Sequence, residues 1–145
     1  MPDGIKFELV GLEQALRLLH AAEPNIKKFV ATGLYREAEK VMRRSKEELV
    51  PVDTGNLRAS GHVEQPNISA DNIDVVLGFG GPAAPYALAV HENPNAGAPG
   101  YPHGSGKAVG SKVGQWKYLE QPLLEAAPQI RAVIVNALEE AFKKV

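Results

Sequence analysis

"NIKKFVATGLYREAEKVMRRSKEEL" (residues 25–49), running into "VPVDTGNLRAS" (residues 50–60), decides how this chain folds. Ile26, Phe29, Val30, Leu34, Ala38, Val41, Met42 and Leu49 recur at helical spacing and fall on one stripe. Lys27, Lys28, Arg36, Glu39, Lys40, Arg43, Arg44, Glu47 and Glu48 lie mostly off that stripe. At ~1.5 Å per residue such a helix runs roughly 35 Å. Pro51 stops it, because a proline disfavours helical geometry in the residue before it. Asp53 and Thr54 then offer side-chain oxygens to nearby backbone amides, and Gly55 tolerates positive φ. Pro51, Asp53, Thr54, Gly55 and Leu57 therefore read as a structural turn between a long helix and the first strand of a hairpin.

Upstream, "GIKFELVGL" alternates Ile5, Phe7 and Leu9 with polar residues, the period of a half-buried strand, and Leu12, Ala15, Leu16 and Leu19 come next at helical spacing. Downstream of the turn, "ASGHVEQPNIS" is a weak strand whose far end Pro66 demotes to an edge or a bulge. "NIDVVLGFG" alternates Ile73, Val75, Leu77 and Phe79, and the two stretches read as a hairpin joined through "SADN". "YALAVHE" reads as a third strand, with Tyr86, Leu88 and Val90 on one face. Residues 93–114 are a long loop of six glycines and three prolines without apolar periodicity. The chain ends in a helix through Leu123, Ala127, Ile130, Val133, Ile134, Ala137, Leu138, Ala141 and Phe142. Pro122 and Pro128 both suit first-turn positions there, so a short turn ahead of a longer helix is expected.

This order predicts an α+β fold and one domain over 1–145. A small antiparallel sheet is packed by a long central helix and a C-terminal helix, and the Gly/Pro-rich loop extends from it. Leu34, Val41, Leu57, Leu77, Tyr86, Val90 and Ile134 are expected to share one core.

Sixteen basic against seventeen acidic residues leave a net charge of −1, which argues against a protein whose main work is coating nucleic acid. With no cysteine, disulfides, thiolate zinc sites and cysteine nucleophiles are excluded. No apolar run approaches the ~20 residues of a membrane span. The opening "MPDGIKFELVGLEQ" has no basic-then-apolar signal pattern, so a cytosol-like compartment is expected.

Asp53-Thr54-Gly55 is also the tripeptide that carries the catalytic carboxylate of aspartic proteases. Such an enzyme needs two carboxylates close enough to share a proton, which one triplet could supply only in a symmetric dimer. The preceding helix and the succeeding "NLR" favour the turn. His91-Glu92 has no second histidine at the spacing of a zinc site, and His20, His62, His91 and His103 are expected to be surface or helix-capping side chains. "GSGKAVGSK" lacks the spacing of a phosphate-binding loop. No catalytic, cofactor-binding or metal-binding residues are expected, and no cofactor. Function is expected in the loop, where Tyr101 and Trp116 supply apolar anchors of the kind that carry binding energy. His103, Lys107 and Lys112 complete this candidate interface.

"VPVDTGNLRAS" after a charged helix, "PYALAVHENP", a Gly/Pro-rich loop, and "KYLEQPLLEA" opening the last helix together resemble the neck, or tail-component, proteins of long-tailed bacteriophages. Pro51, Val52, Asp53, Thr54, Gly55, Leu57 and Arg58 match that family's first element. Tyr86, Ala87, Val90 and Glu92 match the second, although Asn93-Pro94 replaces the usual glycine. Tyr118, Leu119 and Pro122 match the third, with Leu123 where alanine is usual. "FELVGLEQALRLL" fits the family's first strand and helix.

The resemblance implies a non-enzymatic virion protein at the head–tail junction, assembled in the bacterial host cytoplasm and working as a six- or twelvefold ring of identical copies. Its partners would be itself, the neighbouring connector or stopper, and tail terminator or tail tube proteins. It would meet no membrane, and viral DNA only by passage through the channel. The rival from another class is a small dimeric aspartic-type protease using Asp53.

Overall fold

The stripe read from residues 25–49 forms helix α1 (Pro24–Arg44), which continues into a π-helical turn, Ser45–Leu49. The computed structural model describes residues 24–52, 55–69, 72–96 and 114–143. The strand and helix expected over residues 5–19, together with His20, lie outside these. Val30, Ala38, Val41, Met42 and Leu49 are buried, whereas Phe29 departs from the stripe and is 55% exposed. Phe29 sits at the edge of the apolar arc, and no described element covers that edge. The helix ends where expected: Val50, before Pro51, is extended at φ −67° and ψ 131°, and its N–H closes the π turn on the Ser45 carbonyl at 2.8 Å.

Gly55 has φ 91°, the left-handed conformation expected of it. "NLR" does not pass straight into a strand. It forms a one-turn helix, α2 (Asn56–Ala59), which buries Leu57. The hairpin comes next as β1 (His62–Val63), β2 (Asn67–Ile68), β3 (Ile73–Asp74) and β4 (Leu77–Gly78). β1 pairs antiparallel with β4, His62 opposite Gly78 and Val63 opposite Leu77. β2 pairs antiparallel with β3, Asn67 opposite Asp74 and Ile68 opposite Ile73. Between the two ladders, residues 64–66 oppose only 75 and 76, so the hairpin carries a one-residue bulge at Pro66. Proline has no N–H to give a ladder, which is why the break falls there.

"YALAVHE" is not a strand. Residues Ala87–His91 form a short helix, α3, with Ala87, Val90 and His91 buried and Leu88 52% exposed. Alternation of Tyr86, Leu88 and Val90 suggested period two, but the buried set follows i, i+3, i+4. The C-terminal helix α4 spans Glu120–Lys143 without a break, with Pro122 in its first turn and Pro128 inside it. The expected division at Pro128 is absent because Pro128 and Leu124, whose carbonyl lacks a partner there, are both on the exposed side, where water can serve that carbonyl.

α1 is the middle element. It runs antiparallel to α4, with Arg44 bonded to Glu125 near one end and Gly33 against Val133 near the middle, and β1, β2 and β3 touch it as well. Val41, Leu57, Leu77, Val90 and Ile134 are buried in one cluster, and Leu34 and Tyr86 pack against it partly buried. Among the described residues, no helix is long and apolar enough to cross a membrane.

Candidate functional site

The three sequence stretches singled out above, far apart in the chain, meet in space where the segment 114–119 leads into α4. Gly114 takes φ 87°, and its backbone runs so close to Pro51 that a Cβ there would stand 2.5 Å from the Pro51 Cα. The next residue, Gln115, donates its N–H to the Leu49 carbonyl at 2.7 Å. Lys117 donates its N–H to the His91 carbonyl at 2.8 Å. Tyr118 then enters the core. Its hydroxyl donates to the Ala87 carbonyl at 2.7 Å, and its own carbonyl accepts the Ser45 hydroxyl at 2.6 Å. Phe79 and His91 each meet the Tyr118 ring edge-on, with centroids 5.0 Å away.

His91 is fully buried, and both ring nitrogens are engaged. Nε2 lies 3.2 Å from the Glu120 backbone nitrogen and accepts its N–H, so Nδ1 carries the proton and donates to Glu92 Oε1 at 2.7 Å. The histidine does cap a helix, as one of the two expectations for it held, but it is not on the surface. Burial holds its imidazole below the usual range, opposed by the hydrogen bond and charge of Glu92. The Lys117 ammonium bridges Glu92 at 2.6 Å and Glu120 at 3.0 Å. That bridge holds the Glu92 carboxyl low, helped by His91, and pushes the Lys117 ammonium up. Lys117 is the one described non-glycine residue at positive φ, 52°, and these ion pairs fix it there. Burial pushes the Tyr118 hydroxyl far up, so it remains a donor.

This cluster holds backbone in place. Its histidine is shielded from solvent, its tyrosine is neutral, and its carboxylates are occupied by a lysine. Among the described residues, no three His, Asp or Glu side chains are grouped to take a metal ion. What the clasp secures is the root of the loop. At one root Ala96 is buried and closes a turn on the Asn93 carbonyl at 2.9 Å; at the other Gly114–Lys117 is pinned to Leu49, Pro51 and His91.

Of the residues singled out from sequence, Pro51 and Leu57 are buried, Gly55 is left-handed, and Asp53 and Thr54 lie outside the described residues. Trp116 is 38% exposed, with the Lys117 ammonium 5.6 Å from its ring centre. Tyr101, His103, Lys107 and Lys112 lie outside the described residues. Sequence reasoning missed Ser45 and the π turn, and assigned His91 no partner. The signal for the latter was the chain of neighbours His91-Glu92 and Lys117-Tyr118, whose hydrogen-bonding needs complement each other. Comparisons of the chain with protein-family models, with curated proteins and with solved structures found no match.

Proposed function

We propose that this chain is a structural component of a long-tailed phage head–tail junction, a neck or tail-completion protein that works as one copy in a homo-oligomeric ring. One observation carries the reading. The three elements on which the family resemblance rests, around Pro51, around Tyr86–Glu92 and around Tyr118–Pro122, form a single clasp. Elements that belong to one architecture should touch one another in this way, whereas chance matches to three short patterns need not.

The clasp also suits the role. It fixes both roots of residues 97–113 to the helical body, so that segment leaves from a rigid base. Repetition by ring symmetry would multiply each weak contact made by such an arm. Ring neighbours, a connector or stopper on one side and a tail terminator or tube protein on the other, are the partners this reading puts around it, in the virion.

Antibodies raised against the purified chain test the reading on tailed particles by electron microscopy. Labelling confined to the junction of head and tail is expected. Labelling elsewhere on the particle, or none on intact particles and on separated tails, would overturn it.

A further inference from the structure

The solvent faces of the two long helices carry opposite charge in matching positions. α1 has six basic against two acidic residues, and α4 has four acidic against two basic. The exposed side of α1 presents Lys28, Arg36, Lys40 and Arg43, with Glu39 as the one acid among them. Lys28, Arg36 and Arg43 form no ion pair among the described residues. The exposed side of α4 presents Glu125, Glu139 and Glu140, with Arg131 and Lys143 as its bases; Glu125 is bonded to Arg44 of the same copy, and Glu140 lies 3.9 Å from Lys143. Both faces also leave large apolar side chains in water, Phe29 at 55% on α1, and Leu124 at 66% and Val135 at 38% on α4.

The spacing matches too. Lys28 and Arg43 are fifteen positions apart, as are Glu125 and Glu140, roughly 22 Å of helix in each case. In an antiparallel alignment that sets Lys28 opposite Glu140, Arg43 falls opposite Glu125 and Glu39 comes within two positions of Arg131, while Lys143 falls opposite the uncharged Asn25. Phe29 falls four positions from Val135. This is, to within two positions, the alignment α1 and α4 already adopt inside the subunit, where Arg44 bonds Glu125 and Gly33 lies against Val133.

We propose that the basic face of α1 in one copy packs against the acidic face of α4 in the next, repeating between subunits the antiparallel pairing found within each. The two faces are different surfaces, so the contact is heterologous, and such contacts generate rings when the rotation closes. The occupant is a second copy of this chain because its own two faces match in the spacing and sign of their end charges, Lys28 and Arg43 against Glu140 and Glu125. The inference rests on the ring reading and names the interface that would build it.

Mass photometry on two charge-reversed variants tests it. K28E/R43E makes the α1 face acidic, and E125R/E140K makes the α4 face basic. Each variant alone is expected to stay monomeric at concentrations where the parent forms rings, with an unchanged helical circular dichroism spectrum. Mixing the two restores opposite signs at every contact, so rings should reappear that contain both in equal number. Should E125R/E140K not fold, E140K mixed with K28E poses the same question at one end of the interface. Rings from either double variant alone, or no recovery on mixing, would overturn the interface while leaving a parent ring intact. A parent that stops at dimers would sink the ring and leave the swap decisive for the interface; a parent monomeric at every concentration overturns both.

Discussion

His91 Nε2 accepts the backbone N–H of Glu120 at 3.2 Å, so a fully buried histidine on a five-residue helix caps the first turn of the last helix. That bond requires the neutral ring. Burial holds the imidazole below its ordinary value of 6.5, with Glu92, Lys117 and Glu120 the charged groups around it and the Tyr118 ring in T-shaped contact with it. Below 6.5 the unfolded chain therefore binds more protons than the folded one. The stabilisation is complete above 6.5 and is lost as pH falls through the lower folded value. The melting temperature should drop as pH falls below 6.5, and His91→Gln should flatten that slope. Identical slopes in parent and variant would show that the ring's charge state does not matter.

Tyr118→Phe keeps the ring packed against Phe79 and His91 but removes the hydroxyl that donates to Ala87. Tyr118 and Ala87 are both fully buried, so a loss of about 1–2 kcal/mol is expected in urea unfolding. An unchanged midpoint would mean that the hydrogen bond contributes nothing net.

Gly55 and Gly114 both have positive φ, yet their substitutions should differ. At Gly55 an added Cβ meets nothing within 4 Å, so Gly55→Ala should cost only backbone strain, ~1 kcal/mol. At Gly114 the same atom would stand 2.5 Å from the Pro51 Cα, a backbone atom that cannot swing aside. Gly114→Ala should therefore cost roughly 2–4 kcal/mol and loosen the clasp. Equal melting temperatures for the two variants would contradict the close approach.

Removal of residues 97–112 leaves both roots of the loop and every clasp residue in place. The shortened chain should fold, with a melting temperature near that of the parent, but should fail to join a ring or a particle. Normal assembly would show that the loop is not an assembly arm.

The long helix and its stop were legible because Val41, Met42 and Leu49 follow helical spacing and Pro51 forbids helical geometry before it. The hairpin bulge was legible for a similar local reason, the missing N–H of Pro66. α3 was not, since five residues carry too few repeats to separate period two from i, i+3, i+4, and its contact with Tyr118 lies 31 positions away. Pro128 misled because the cost of an interior proline depends on whether the freed carbonyl faces water, which no local pattern reports. Within the clasp, the motif residues could be marked from sequence, but their partners could not. Ala87 with Tyr118, and His91 with Glu120, are pairs far apart in the chain that no local pattern reports.

Whether this chain builds a closed ring is decided by electron microscopy of the purified parent chain. Class averages should show closed rings of identical copies around an open channel. Single copies at every concentration, or open chains of no fixed number, would contradict the ring.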